Sequence, residues 1–148
     1  DYELSEEYLS EIGDVNGRAR DSEVWIAESP DGRLLGTVTT PQPGRRLQDD
    51  TADGEMDLRL LGVAREARGR GVAGALMRHC FALARERGAE RVVLHTASRM
   101  EAPQRLYERM GFARIPERES DFESMGETHR LLSYGIDLVD APTSTVTG

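Results

Sequence analysis

A basic, glycine-spaced segment, Arg65-Glu66-Ala67-Arg68-Gly69-Arg70-Gly71-Val72-Ala73-Gly74, follows the apolar run Met56–Val63 and precedes a helical pattern. A strand that feeds such a turn at a helix N-terminus aims free backbone N–H groups and the positive end of the helix dipole at one point, where phosphate oxygens bind. Gly71 and Gly74 allow close backbone approach, and Arg65, Arg68 and Arg70 add charge. No Lys-Ser or Lys-Thr closes the turn, which excludes a P-loop. There is also no Gly-x-Gly-x-x-Gly accompanied by an acidic ribose partner on a following strand, which argues against a dinucleotide site. Read by itself, the segment is equally a tight strand-to-helix connection with solvated arginines.

A second motif lies downstream, in Ala102-Pro103-Gln104-Arg105-Leu106-Tyr107-Glu108-Arg109-Met110-Gly111-Phe112. Arg68-x-x-Gly71-x-Ala73 after a buried strand resembles the pyrophosphate-binding motif of the GNAT superfamily, the acetyl-CoA-dependent N-acetyltransferases. The helix ending in Leu-Tyr-Glu-x-x-Gly-Phe is similar to the last block of the same superfamily. The two motifs stand in the right order, one helix and one strand apart, and the resemblance spans roughly the last three quarters of the fold. It implies an α/β (α+β) domain: a mixed, mostly antiparallel sheet flanked by helices, with a splayed parallel strand pair at the cofactor site. It also implies acetyl-CoA as co-substrate, no metal, and direct attack of an amine on the thioester without an acyl-enzyme.

Residue roles follow from the same resemblance. The turn Arg68, Gly69, Arg70, Gly71, Val72, Ala73 and Gly74 would bind the donor through its N–H groups. The backbone of Leu61, Gly62 and Val63 would pair, like an extra strand, with the pantetheine arm, and a glycine within a strand commonly marks a bulge or close backbone approach. Tyr107 would protonate or hydrogen-bond the departing thiolate, for which a phenol with a reference pKa of ~10 keeps its proton at neutral pH; its other reading is core packing with Leu106 and Met110. The family often has an asparagine before this helix where Met100 stands here, so no side-chain contact to the cofactor is carried over to that position.

The acceptor sets a further requirement. A lysine-like amine has a reference pKa about three units above neutral, so its deprotonation at pH 7 costs ~4–5 kcal/mol without help. Glu55 and Asp57 share one face of the central strand by alternation. Asp57 matches the position of the acidic base in family members that use one, and stands open between that role and a solvated charge; Glu55 reads as a solvated charge. His79, His95 and His129 show no paired spacing and read as structural.

The elements that must carry these groups follow in order. Ser5–Ile12 reads as a short helix, so the edge strand usual in the family is either missing or lies outside this sequence. Glu23–Glu28 and Arg33–Thr40 read as a hairpin across Ser29-Pro30-Asp31-Gly32, and Pro41–Gly54 as a flexible loop. A helix from about Gly71 to Arg87 buries Val72, Leu76, Cys80, Leu83 and Ala84. Glu90–Thr96 is a strand parallel to its predecessor, and a helix from near Met100 to Met110 keeps Pro103 in its first turn, where the missing N–H is harmless. Phe112–Ile115 is a short strand, Pro116–Glu127 an acidic loop, and Thr128–Leu138 a strand. Residues 1–138 form one domain, and Val139–Gly148 reads as a disordered tail.

With 148 residues and a formal charge of -8, the chain is of single-domain size and unsuited to binding nucleic acid or a membrane surface. No apolar run reaches membrane-spanning length and no signal peptide is visible, so the expected location is cytoplasmic. The lone cysteine, Cys80, excludes an intrachain disulfide and reads as a small buried hydrophobe. The expected partner is a small-molecule or peptide amine acceptor, with the protein a monomer or homodimer. Acids at Asp49, Asp50, Asp53 and between Pro116 and Glu127 point to a cationic amine. The alternative function is a non-catalytic acyl-CoA-binding or partner-binding module of the same fold.

Overall fold

The computed structural model describes residues 9–12, 22–69, 71–98 and 101–142. Among these described residues, eight strands and two α-helices follow the chain as β1 (Leu9–Ile12), β2 (Ser22–Glu28), β3 (Leu34–Pro41), β4 (Glu55–Val63), α1 (Val72–Glu86), β5 (Arg91–Ala97), α2 (Glu101–Met110), β6 (Ala113–Arg114), β7 (Ser120–Ser124) and β8 (Glu127–Asp137). They form one sheet in the order β1-β2-β3-β4-β5-β8-β6, with β7 also pairing β8. Every pairing is antiparallel except β4 with β5. This is the mixed, mostly antiparallel sheet expected from the motifs, and α1 is the crossover that makes β4 and β5 parallel.

Two expected elements are corrected. Leu9–Ile12 is not the end of a helix but an edge strand, Leu9 opposite Ala27 and Ile12 opposite Val24; Ser5–Tyr8 lie outside the described residues. The free edge of β2 offers a row of backbone donors and acceptors, and pairing with them overrides a weak helical pattern. The N-terminal edge strand is therefore present. Pro116–Glu127 is not a plain loop either: after a 3-10 turn at Pro116–Arg118 it holds β7, which forms a hairpin with β8 through Met125 and Gly126. Phe122 lies against His129, with ring centroids 5.4 Å apart, an anchor hidden in the sequence by the surrounding acids. Of the segment read as a tail, residues 139–142 are described, and there Ala141 is buried while its carbonyl accepts from Arg85.

Helix α1 lies on one face of the sheet. Its stripe of Val72, Leu76, Cys80 and Ala84 is buried as expected, together with Ala75, Met77 and Phe81. These pack with Leu58, Leu94, Tyr107, Phe112 and Tyr134 in the main core. Gly88, at φ +79°, closes α1: its N–H donates to Arg85 and that of Ala89 to Ala84, a Schellman end that satisfies the last carbonyls. Burial pushes the Cys80 thiol up to about 12, so the thiol stays protonated and acts as packing.

Candidate functional site

Strands β4 and β5 run side by side only from Glu55 opposite Arg91 to Leu58 opposite Leu94. Beyond Leu58 they separate, although β4 continues to Val63 and β5 to Ala97. The cause is on the other edge of β4. Thr37 pairs with Gly62 and Thr39 with Arg59, so the single residue Val38 faces two residues, Leu60 and Leu61. This extra residue is a β-bulge, which bends the strand that carries it. The bulge lies where β4 leaves β5, the splayed parallel pair that the resemblance implies.

The turn after β4 lies against the same end of the sheet. A 3-10 turn, Arg65–Ala67, buries Ala67, and Gly69 and Gly71 follow at φ +81° and +82°. Gly71 is the N-cap of α1, and no side chain caps the first helical turn. The N–H groups there are thus left to an external acceptor, beside exposed Arg68. Arg70 and Met100 lie outside the described residues. A Cβ on Gly69 or Gly71 would meet nothing within 4 Å, so it is the positive φ that selects glycine. Gly36 is required for a different reason: its Cβ would fall 2.8 Å from the Gly62 carbonyl oxygen and 2.9 Å from Val72 Cγ1. A bare backbone at Gly36 is what lets β3, the bulge and the first turn of α1 meet.

Tyr107 of α2 is 5% exposed, its ring centroid 5.7 Å from both Phe112 and Tyr134. Tyr134 is the register partner of Leu94, the last β5 residue paired to β4, so Tyr107 stands on the helix face beside the point where the strands part. Burial, with the neighbouring Tyr134 as a smaller contribution, pushes the phenol up to about 12. It is therefore a proton holder at neutral pH, and no described residue forms a hydrogen bond with its hydroxyl.

The opposite face is built differently. Asp57, register partner of Val93, points to the side away from α1 and is completely buried. Its carboxylate accepts from the Leu47 N–H (2.8 and 3.0 Å), the Gln48 N–H (2.8 Å) and the Thr51 hydroxyl (2.6 Å). The expected base thus meets a carboxylate already engaged by the loop Pro41–Gly54, which it fastens down. Hydrogen bonds to a charged acceptor contribute roughly 1.5–3 kcal/mol each, enough to order a segment that composition marks as flexible. Glu55, expected to be solvated, has a side chain only 7% exposed and binds Arg118 at 2.7 Å and Arg91 at 3.6 Å. Burial acts to raise its pKa, but the Arg118 hydrogen bond, the Ala52 N–H and the two guanidinium charges together outweigh it and hold the carboxyl below its ordinary range.

One residue on this face reads as structural in the sequence. His95, first on β5 after the pairing with β4 ends, places Nε2 3.0 Å from Asp50 Oδ2. Its Nδ1 is buried and has no hydrogen-bond partner among the described residues, a state that costs ~1–3 kcal/mol for an ordinary polar group. The signal was available only once the register of β4 and β5 had been drawn. The acids expected to attract a cation are also partly engaged: Asp50 contacts His95, while Glu119 is paired with Arg114 and Arg130, and Asp121 with Arg130.

Residues 2–112 match the profile of the acetyltransferase (GNAT) family. The chain is 35% identical over 112 residues to N-acetyltransferase 8B of Homo sapiens, covering 74% of this chain and 43% of that one. It is 35% identical over 105 residues to mycothiol acetyltransferase of Cellulomonas flavigena, covering 66% of this chain and 30% of that one. It spans less than half the length of these relatives. The structure superposes on nourseothricin acetyltransferase with a TM-score of 0.63 at 28% identity, over 80% of this chain and 66% of that one. Among the described residues, no helix is long and apolar enough to cross a membrane.

Proposed function

We propose, from the premise that the chain belongs to the acetyltransferase (GNAT) family, that it moves an acetyl group from acetyl-CoA to a primary amine by direct attack in a ternary complex. The observation that carries this reading is the gap between β4 and β5 opening beside the uncapped first turn of α1. The turn from Arg68 to Gly74 fits a pyrophosphate: no side chain caps the first turn of α1, the helix dipole favours negative charge, and Gly69 and Gly71 keep side chains out of the way. The bent end of β4 at Leu61, Gly62 and Val63 fits an amide-bearing arm that pairs with strand backbone. Acetyl-CoA bound there supplies the thioester, with its carbonyl near the divergence point.

The chain's own groups divide the chemistry. An ammonium must lose one proton to become a nucleophile, and the nitrogen loses a second as the amide forms. The C–N bond forms, the C–S bond breaks, and the electron pair leaves on sulfur. Tyr107 donates its phenolic proton to that sulfur and is reprotonated from the nitrogen side, so one proton per turnover reaches solvent. The acceptor enters from the face that carries Asp57, Asp50 and His95, and an amine of net positive charge is favoured by the exposed acids Asp49 and Asp53 there.

Calorimetry with acetyl-CoA, and thiol release in the presence of amines, test this reading. The double variant Arg68→Ala, Gly71→Val should stay folded and bind acetyl-CoA at least tenfold more weakly, the first change removing charge and the second straining the positive φ at the cap. Unchanged affinity would remove the turn from the donor site. Acetyl-CoA binding without acetylation of any amine would leave a binding module rather than an enzyme.

A further inference from the structure

Building on the acetyltransferase reading, we propose that His95 is the proton acceptor for the incoming amine, oriented by Asp50, and that Asp57 positions this pair by fastening the loop that carries Asp50. The Asp50 carboxylate lies 3.0 and 3.2 Å from Nε2 of His95. A carboxylate there only accepts, so the neutral imidazole carries its proton on Nε2 and presents a lone pair at Nδ1. Nδ1 is the nitrogen that is buried and has no partner among the described residues. Its position on β5 is the first beyond the Leu58–Leu94 pair, so the gap between the strands opens next to it. Tyr107 reaches the same divergence point from the helix face, which puts a proton acceptor and a proton donor on opposite sides of the sheet, as attack and departure require.

Asp57 has no comparable freedom. It is 0% exposed, and its donors Leu47, Gln48 and Thr51 bracket Asp50 in sequence. The loop is held on both sides of Asp50, and that is the contribution of Asp57. Besides Asp50, the charged groups on this side include Asp57 itself, the exposed Asp49 and Asp53, Arg118, which lies within range of the Asp50 charge, and the Glu55 and Arg91 it adjoins; across β8, His95 faces the neutral Ser133. In the step itself, Nδ1 takes one proton from the ammonium and the freed nitrogen pair attacks the thioester carbonyl. The C–S bond then breaks with its electron pair and the Tyr107 proton going to sulfur, the second nitrogen proton restores Tyr107, and the imidazolium, steadied by Asp50, gives up its proton once product leaves and water enters.

The test compares the pH dependence of kcat/KM in wild type, His95→Gln and Asp57→Asn. Probes are an aminoglycoside, a polyamine, an amino-acid amide and a tripeptide with a free α-amine, the fastest being carried forward. Glutamine can set its amide nitrogen where Nε2 stood, so the loop contact is kept while the Nδ1 base is lost. His95→Gln should lower kcat/KM by 10²–10⁴-fold and abolish its fall on the acid side, with melting temperature and acetyl-CoA affinity unchanged. Added imidazole should restore part of the rate in His95→Gly. Asp57→Asn should lose less activity and keep the acid-side fall. Long-range proton–nitrogen NMR, which needs no acceptor, should find the Nε2–H tautomer in wild type and lose that preference in Asp50→Asn. An acid-side fall that survives in His95→Gln, or that vanishes only in Asp57→Asn, overturns the proposal, as does an Nδ1–H tautomer. Wild type that binds acetyl-CoA yet acetylates no probe overturns the acetyltransferase reading itself.

Discussion

The two faces of the sheet are held by different physics. On the helix face, Leu58, Leu76, Phe81, Leu94 and Tyr134, each no more than 2% exposed, pack into one apolar core. On the loop face, apolar packing at Val93 and Ile115 is small, and the covering segments are held by a buried carboxylate and by ion pairs among Glu55, Arg91 and Arg118. Burial is non-directional and needs no ionised group, so on the proposed reading it suits the side that holds the donor rigidly. Charged hydrogen bonds depend on pH and geometry, and suit a side whose covering loop must admit an acceptor.

The contrast can be broken most sharply at Tyr107. Tyr107→Phe keeps the ring contacts and removes only a hydroxyl that no described residue bonds, so turnover should fall 10²–10⁴-fold with little change in melting temperature. Near wild-type turnover at saturating acetyl-CoA would reduce the helix face to packing alone. In stability, too, the helix face carries the larger effect. Phe81→Ala should cost ~3–5 kcal/mol in denaturant unfolding, against ~1–3 kcal/mol for Asp57→Asn. Asp57→Asn should also speed amide exchange at Leu47 and Gln48 while leaving α1 protected, and uniform acceleration would mean the loop is no separate unit. The smallest effect lies at Glu55. Its folded pKa is depressed below the ordinary 4.5, so its contribution is present above that value and is lost as pH falls through the folded pKa. The stability difference between wild type and Glu55→Gln should therefore shrink to near zero in strong acid; a difference that persists there would come from shape, not charge.

The helix face was legible because its signals are local. The stripe through Val72, Leu76, Cys80 and Ala84 repeats at helical spacing, Gly71 and Gly88 mark the ends, and Tyr107 stands in a motif of consecutive residues. The loop face depends on pairs far apart in the chain, such as Arg118 with Glu55, and His95 with Asp50. Nothing local distinguishes such residues from solvated charge. Asp57 shows the limit most clearly: alternation placed it on the correct face, but only the fold showed that its carboxylate was already taken by the backbone of a loop. β1 and β7 were missed for a related reason, since an edge strand is specified by the strand beside it more than by its own sequence.

The bulge at Leu60 and Leu61 carries an evolutionary consequence. Val38 can face one residue as well as two, so deletion of a single codon at this point would restore regular pairing between β3 and β4. The straightened strand could continue alongside β5, and the gap would close. Such a protein would have a complete sheet and no room for a donor. On the proposed reading, binding capacity hangs on one surplus residue, and a lineage could shed it, or regain it, in a single step.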